Sequence, residues 1–141
     1  MKRVVLDGSV ALAWFLKDEA TEGVLQVREQ VRGAERVWVA SHWPFEVANA
    51  FLVAERRNRI TQADVTQAIA VLNQIPLLID HDSEQRAGSE SLALARQHGL
   101  SVYDAAYLEL AMRQGAGLAS VDKPLRLVAD KLKLPLLPEQ L

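Results

Sequence analysis

Five short apolar runs, separated by stretches of helical period, constrain the fold of this chain more than any other feature. Arg3-Val4-Val5-Leu6, Arg36-Val37-Trp38-Val39-Ala40, Ile75-Pro76-Leu77-Leu78-Ile79, Gly117-Leu118-Ala119-Ser120-Val121 and Pro135-Leu136-Leu137 have the length and composition of buried strands. Between them the pattern predicts helices. Residues 10–16 are apolar on every side, as in a short buried helix, and residues 21–32 form an amphipathic stretch closed by Gly33. A turn at 41–45, with Pro44 near the first helical position, leads into a helix through Glu46 to about Arg57. Thr61 opens a helix with Val65, Ala68, Ile69 and Leu72 on one face, and Asp82 or Ser83 caps one ending at His98-Gly99. Ser101 opens a helix ending at Gln114-Gly115, and residues 124–133 form the last. Strands alternating with helices give an α/β fold: a three-layer sandwich in which a parallel sheet of about five strands has helices on both faces. Pro76 belongs at the start of its strand, and Pro138 leaves the final strand only an edge place. No linker or repeat divides the chain, so residues 1–141 are read as one domain.

Four acids stand where these elements meet. Asp7 follows the first strand and Asp122 the fourth, whereas Glu46 and Asp104 lie in the first turns of helices. Each has an ordinary reading. Asp7-Gly8 is a turn pair, Glu46 complements a helix dipole, Asp104 completes a capping box with Ser101, and Asp122 caps the helix after Pro124. Asp64 follows Thr61 with the same spacing and is assigned capping alone. The combination says more. Open parallel sheets bind ligands beyond the carboxyl ends of their strands, where the strand order reverses. If the first and fourth strands are neighbours there, Asp7 and Asp122 meet, and Glu46 and Asp104 arrive on helices starting at the same edge. Carboxylates gathered in this way repel and require a cation. An oxygen-only ligand set suits Mg²⁺ or Mn²⁺ and not zinc. Ser9, Asn49 and Ser120 accompany the acids, placed to orient a carboxylate or a bound water, or else to cap and face solvent. Ser9 can also cap the helix that follows it.

Composition removes several classes. A net charge of −2 carries no polyanion-binding signature, although an ion can meet a phosphate where side chains do not. With no cysteine, disulfides and thiolate metal sites are excluded, and a cytoplasmic setting fits. Asp7-Gly8 interrupts the amino-terminal apolar run, which argues against a signal sequence. The longest apolar run, 10–16, falls far short of the ~20 residues of a membrane span. Gly8-Ser9 lacks the lysine and glycine spacing of a phosphate-binding loop. His42, His81 and His98 are scattered and are read as capping or surface residues. Arg56, Arg57 and Arg59 end a helix, either as solvated cations or as contacts to an RNA backbone.

Val5-Leu6-Asp7-Gly8-Ser9, Pro44-Phe45-Glu46-Val47-Ala48-Asn49-Ala50, Ser101-Val102-Tyr103-Asp104-Ala105-Ala106-Tyr107-Leu108 and Leu118-Ala119-Ser120-Val121-Asp122-Lys123 together resemble a PIN domain, and more narrowly the VapC-like toxins of type II toxin–antitoxin pairs. The resemblance spans nearly the whole chain. It implies a Mg²⁺- or Mn²⁺-dependent endoribonuclease that hydrolyses RNA phosphodiester bonds with activated water and inhibits translation or growth. It further implies Asp7, Glu46, Asp104 and Asp122 as the acidic quartet that holds the metal, supported by Ser9, Asn49 and Ser120. A homodimer and a cognate antitoxin covering the site are implied as well. Trp14, Phe15, Trp43, Phe45 and Phe51 crowd the first third of the chain, which predicts an apolar surface for self-association and for an antitoxin helix.

Three other readings compete. A haloacid-dehalogenase-like phosphatase needs a second Asp two residues after Asp7, where Ser9 stands. A receiver domain has its acceptor after the third strand, where Asp80 and Asp82 lie, but also needs paired acids after the first. An interaction module would use the acids only as caps.

Overall fold

The computed structural model describes residues 2–141; Met1, at the head of the run weighed as a signal sequence, lies outside them. The strands are β1 (Arg3–Leu6), β2 (Arg36–Ala40), β3 (Leu78–Asp80), β4 (Gly117–Ala119) and β5 (Leu136–Leu137). The helices are α1 (Gly8–Ala13), α2 (Glu22–Arg32), α3 (Trp43–Arg56), α4 (Gln62–Asn73), α5 (Asp82–Arg86), α6 (Leu92–His98), α7 (Val102–Gln114) and α8 (Lys123–Lys131). A π-helical turn, Ala87–Ser91, joins α5 to α6.

All five strands are parallel, in the order β3-β2-β1-β4-β5. The expected flanked parallel sheet is therefore the fold. The chain steps outward from β1 through β2 to β3, then returns to the other side of β1 for β4 and β5. The reversal falls between β1 and β4, whose register pairs Val5 with Leu118 and Leu6 with Ala119. One further bond, Asp7 N–H to Ala119 C=O at 3.1 Å, carries the ladder to the carboxyl end of β1. Val4, Val5 and Leu6 are fully buried, as a central parallel strand covered on both faces must be. Helix α7 crosses the middle of the sheet against β1, β2 and β4 and buries every residue from Ala105 to Ala111.

Several boundaries differ from the sequence reading, each for a local reason. The first helix begins at Gly8 and not at residue 10, because Asp7, not Ser9, caps it: Asp7 Oδ1 accepts from Val10 N–H at 3.2 Å. β3 begins two residues after Pro76, which lacks the amide a ladder needs, and Ile75 turns into the core instead. Neither Asp82 nor Ser83 caps α5; Ser83 Oγ donates backwards to the Asp80 carbonyl at 2.5 Å. β4 ends at Ala119, although Ser120 N–H still reaches Leu137 C=O at 3.0 Å.

The expected aromatic surface does not form. Trp14, Trp43 and Phe51 are buried, and Phe15 packs on the core with its ring centroid 6.0 Å from that of Phe51. Trp14 enters the core because its indole N–H finds the Val24 carbonyl at 2.9 Å. Phe45 alone of the five is exposed.

An ionic cluster fastens the β3 edge to α7. Arg113 donates to Asp80 at 3.2 and 2.5 Å and to Glu109 at 2.9 Å, and both acids are buried. At the other edge, the buried Arg126 of α8 donates to the carbonyls of Ser120 at 2.8 Å and Pro138 at 2.6 Å, which pins β5 and the tail after it to β4. Among the described residues, no helix is long and apolar enough to cross a membrane.

Candidate active site at the strand reversal

Asp7 and Asp122 come to the site from the ends of β1 and β4, and Glu46 and Asp104 from the first turns of α3 and α7. Asp7 is 4% exposed. Its Oδ1 accepts both Ser9 Oγ–H, at 2.7 Å, and the Val10 amide. Burial pushes its carboxyl up from 3.8 to about 7, against the pull of the Ser120 and Ser9 hydroxyls and the Val10 amide, and the charge of Glu46 adds to the rise. Asp104 is raised by burial, then by the charges of Asp122 and Glu46, with Ser101 and His42 opposing. Asp122 is also raised, by burial first and by Glu46, with the Leu125 amide opposing. Asp122 occupies the N-cap position of α8, with the Leu125 amide near its carboxylate but outside capping-bond geometry. Each of these three carboxyls feels Glu46, so four distant chain segments place their acids within one electrostatic neighbourhood.

Glu46 is the most tightly held. Its Oε1 accepts from the Gly8 amide at 3.0 Å and from the Tyr107 hydroxyl at 3.1 Å, and its Oε2 lies 3.5 Å from His42 Nε2. A Cβ at position 8 would overlap Oε1, so this placement of Glu46 requires glycine there. Gly8 therefore has a consequence for the site that the sequence alone did not suggest.

The hydroxyls of Ser9 and Ser120 lie 3.4 Å apart. Ser9 Oγ accepts from the Val121 amide at 3.0 Å, and Ser120 Oγ from the Asp122 amide at 3.1 Å. The pair thus ties the ends of β1 and β4 together while favouring the charged form of Asp7. Asn49 stands apart: it is exposed and makes no hydrogen bond to any of the acids.

Two site residues escaped the sequence reading. Tyr107 lies one helical turn after Asp104, and burial with the charges of Glu46 and Asp7 pushes its phenol up, so it remains a donor. His42, read as a cap or surface residue, makes no capping bond and packs against Tyr107 and Tyr103, at ring separations of 5.0 and 5.4 Å. The available signal was spacing: i+3 from Asp104 and i−4 from Glu46 put both on the faces that carry the acids.

The competing acids are otherwise engaged. Asp80 is occupied by Arg113 and Ser83, and Asp64 is an exposed first-turn residue whose amide donates to Thr61 Oγ1 at 3.1 Å. Arg59 is held by Asp18 at 2.9 Å and Glu19 at 2.6 Å, whereas Arg56 and Arg57 at the same helix end are exposed and form no ion pair among the described residues.

Among the described residues, no three acidic or histidine side chains already stand around a common point in ligand geometry. Glu46 is instead bonded to Gly8 and Tyr107, and Asp7 to Ser9. The donor set nevertheless fits a hard divalent ion. It consists of carboxylate oxygens raised first by burial and then by neighbouring negative charge, both of which a bound cation would offset.

The fold and the acid-lined strand reversal define a known class. The PIN domain model matches residues 4–131, and the chain belongs to that family. Within it, the chain is similar to Ribonuclease VapC3 of Pyrobaculum aerophilum, at 28% identity over 123 residues, covering 87% of this chain and 92% of that protein. Two solved structures share the fold. One is Mycobacterium tuberculosis VapC20, described as a sarcin–ricin loop cleaving toxin (TM-score 0.63, 17% identity, 89% of this chain and 94% of that one). The other is VapBC2 of Rickettsia felis bound to a DNA fragment from their promoter (TM-score 0.60, 12% identity, 95% and 96%).

Proposed function

We propose that the protein is a divalent-metal-dependent endoribonuclease and the toxin component of a VapBC-type pair, acting in the cytoplasm to inhibit translation or growth. The observation that carries this is the arrival of Asp7, Glu46, Asp104 and Asp122 at the β1/β4 reversal, where burial first and the charge of Glu46 in addition raise the other three. Family membership and the VapC likeness support the RNA substrate and the antitoxin. Asp7, Glu46, Asp104 and Asp122 would hold Mg²⁺ or Mn²⁺, which supplies positive charge to the scissile phosphate and acidity to the attacking water. The chain's own groups do the rest. Ser9 and Ser120 fix Asp7, and Tyr107 and the Gly8 amide fix Glu46. A carboxylate of the set would take the proton from the attacking water.

Purified protein incubated with structured RNAs is expected to cleave them with Mn²⁺ or Mg²⁺ and to lose activity in EDTA. An Asp104→Asn preparation serves as the control for contaminating nuclease. Cleavage undiminished by EDTA would remove the metal from the mechanism. The homodimer is also part of this proposal, and light scattering is expected to give twice the chain mass; a monomer at all workable concentrations refutes it.

A further inference from the structure

The chain contains three tryptophans, three phenylalanines and two tyrosines. Of these aromatic side chains only Phe45, at 83%, and Tyr103, at 66%, are exposed, and each immediately precedes a site acid. Phe45 adjoins Glu46 in the first turn of α3, and Tyr103 adjoins Asp104 in the first turn of α7. His42 connects them. Its ring meets the Tyr103 ring edge-on at 5.4 Å, and it sits three residues before Phe45 and four before Glu46, a neighbour of both on the helix surface. Of the other exposed large apolar residues, Leu52 lies on α3 seven residues after Phe45 and Met112 near the far end of α7, whereas Leu78 and Ile79 on β3 and Leu127 on α8 belong to other elements.

We propose that Tyr103 and Phe45 stack the bases that flank the scissile phosphate of a single-stranded RNA, and so position that phosphate over the carboxylates. The proposal rests on the nuclease reading above. An ion held by the acids would meet only the scissile phosphate, so the nucleotides on either side of it need a source of affinity that does not depend on charge. Every base offers a π-face, and stacking on an aromatic ring does not depend on charge. Each ring directly adjoins a site acid, a placement that fits the flat bases on either side of a phosphate held there better than the ridge of a partner helix.

The test uses the full chain with Mn²⁺ and a random-sequence pool of single-stranded RNA 12-mers, alongside abasic 12-mers with the same ribose-phosphate backbone. Tyr103→Leu and Phe45→Leu are each expected to raise KM on the base-bearing pool on the order of tenfold, the ~1.4 kcal/mol scale of stacking one base, and more than they lower kcat. Tyr103→Phe and Phe45→Tyr should restore KM. On abasic RNA the parent and the leucine variants should share one KM. Melting curves confirm that the variants are folded.

Parental KM for the leucine variants on base-bearing RNA overturns the proposal and assigns the rings to a protein partner. An equal rise on abasic RNA overturns it too, since the rings would then act without bases. A parent that cleaves structured RNAs but not the pool refutes single-strand stacking alone. A parent that cleaves neither refutes the nuclease reading, and this proposal with it.

Discussion

Asp7→Asn is expected to raise the melting temperature of the metal-free protein on the order of 5–10 °C at pH 8, and by less than half as much at pH 5. The Asp7 carboxyl is raised from 3.8 to about 7, mainly by burial. A carboxyl raised in the folded state destabilises the fold. The penalty is absent below the unfolded value, grows at about 1.4 kcal/mol per pH unit between the two values, and is complete above the folded one. At pH 8 that is about 4 kcal/mol, an upper figure because the site relaxes and admits water. Asparagine keeps the cap of α1, since its side-chain oxygen can still accept from Val10. The same substitution should abolish RNA cleavage. Mn²⁺ should stabilise the parent and do little for the variant, because a ligand that binds only the folded state stabilises it by an amount that grows with the logarithm of its concentration over Kd. Thermal melts of both proteins at the two pH values, with and without Mn²⁺, make the measurement. A variant that melts below its parent at pH 8, with Mn²⁺ shifting both alike, would mean that Asp7 serves only as a cap.

Arg113→Met should have the largest cost in stability, about 3–5 kcal/mol, with a melting temperature lower on the order of 10 °C. Arg113 pairs with Asp80 and Glu109, and both of those side chains are at most 7% exposed. Methionine fills similar space but leaves Asp80 with the Ser83 hydroxyl and without its cation, and Glu109 with only Arg86 at 3.9 Å. Burial alone would raise Asp80, yet its bonds to Arg113 and Ser83 hold it below its usual value. That contribution is present above the unfolded value of ~3.9 and is lost as pH falls through the lower folded value. The variant's deficit should therefore shrink in acid, where Asp80 is protonated, and adding Asp80→Asn should recover part of it at pH 7. Urea titration at pH 7 reads the loss directly, and a change below ~1 kcal/mol would show that the cluster is dispensable.

The alternation of β-branched runs with helical stretches made the flanked parallel sheet legible, because burial on both faces leaves a central strand such as Val4-Val5-Leu6 nothing but apolar residues. Helix ends signalled by side-chain caps were also legible, with Thr61 and Ser101 both capping where expected. Boundaries failed where the cap belonged to another role. Asp7 both caps α1 and faces the site, and Ser83 turns back to the Asp80 carbonyl.

The four acids were legible as a pattern, since each marks the junction of a strand or turn with a helix. Their strand order was not. The sequence by itself determined which residues could be buried, which could cap, and that the acid set was made only of oxygen ligands. Only the tertiary structure placed β1 beside β4, which brings Asp7 toward Asp122. The tertiary structure also set Tyr107 and the Gly8 amide on Glu46, drew His42 in from the surface, left Asn49 out, and buried four of the five early aromatics on or against the core. The physical reason is range. Periodicity and capping act over a few residues, whereas the Gly8–Glu46 and Glu46–Tyr107 contacts join positions 38 and 61 residues apart, and these exist only once the sheet has ordered its strands.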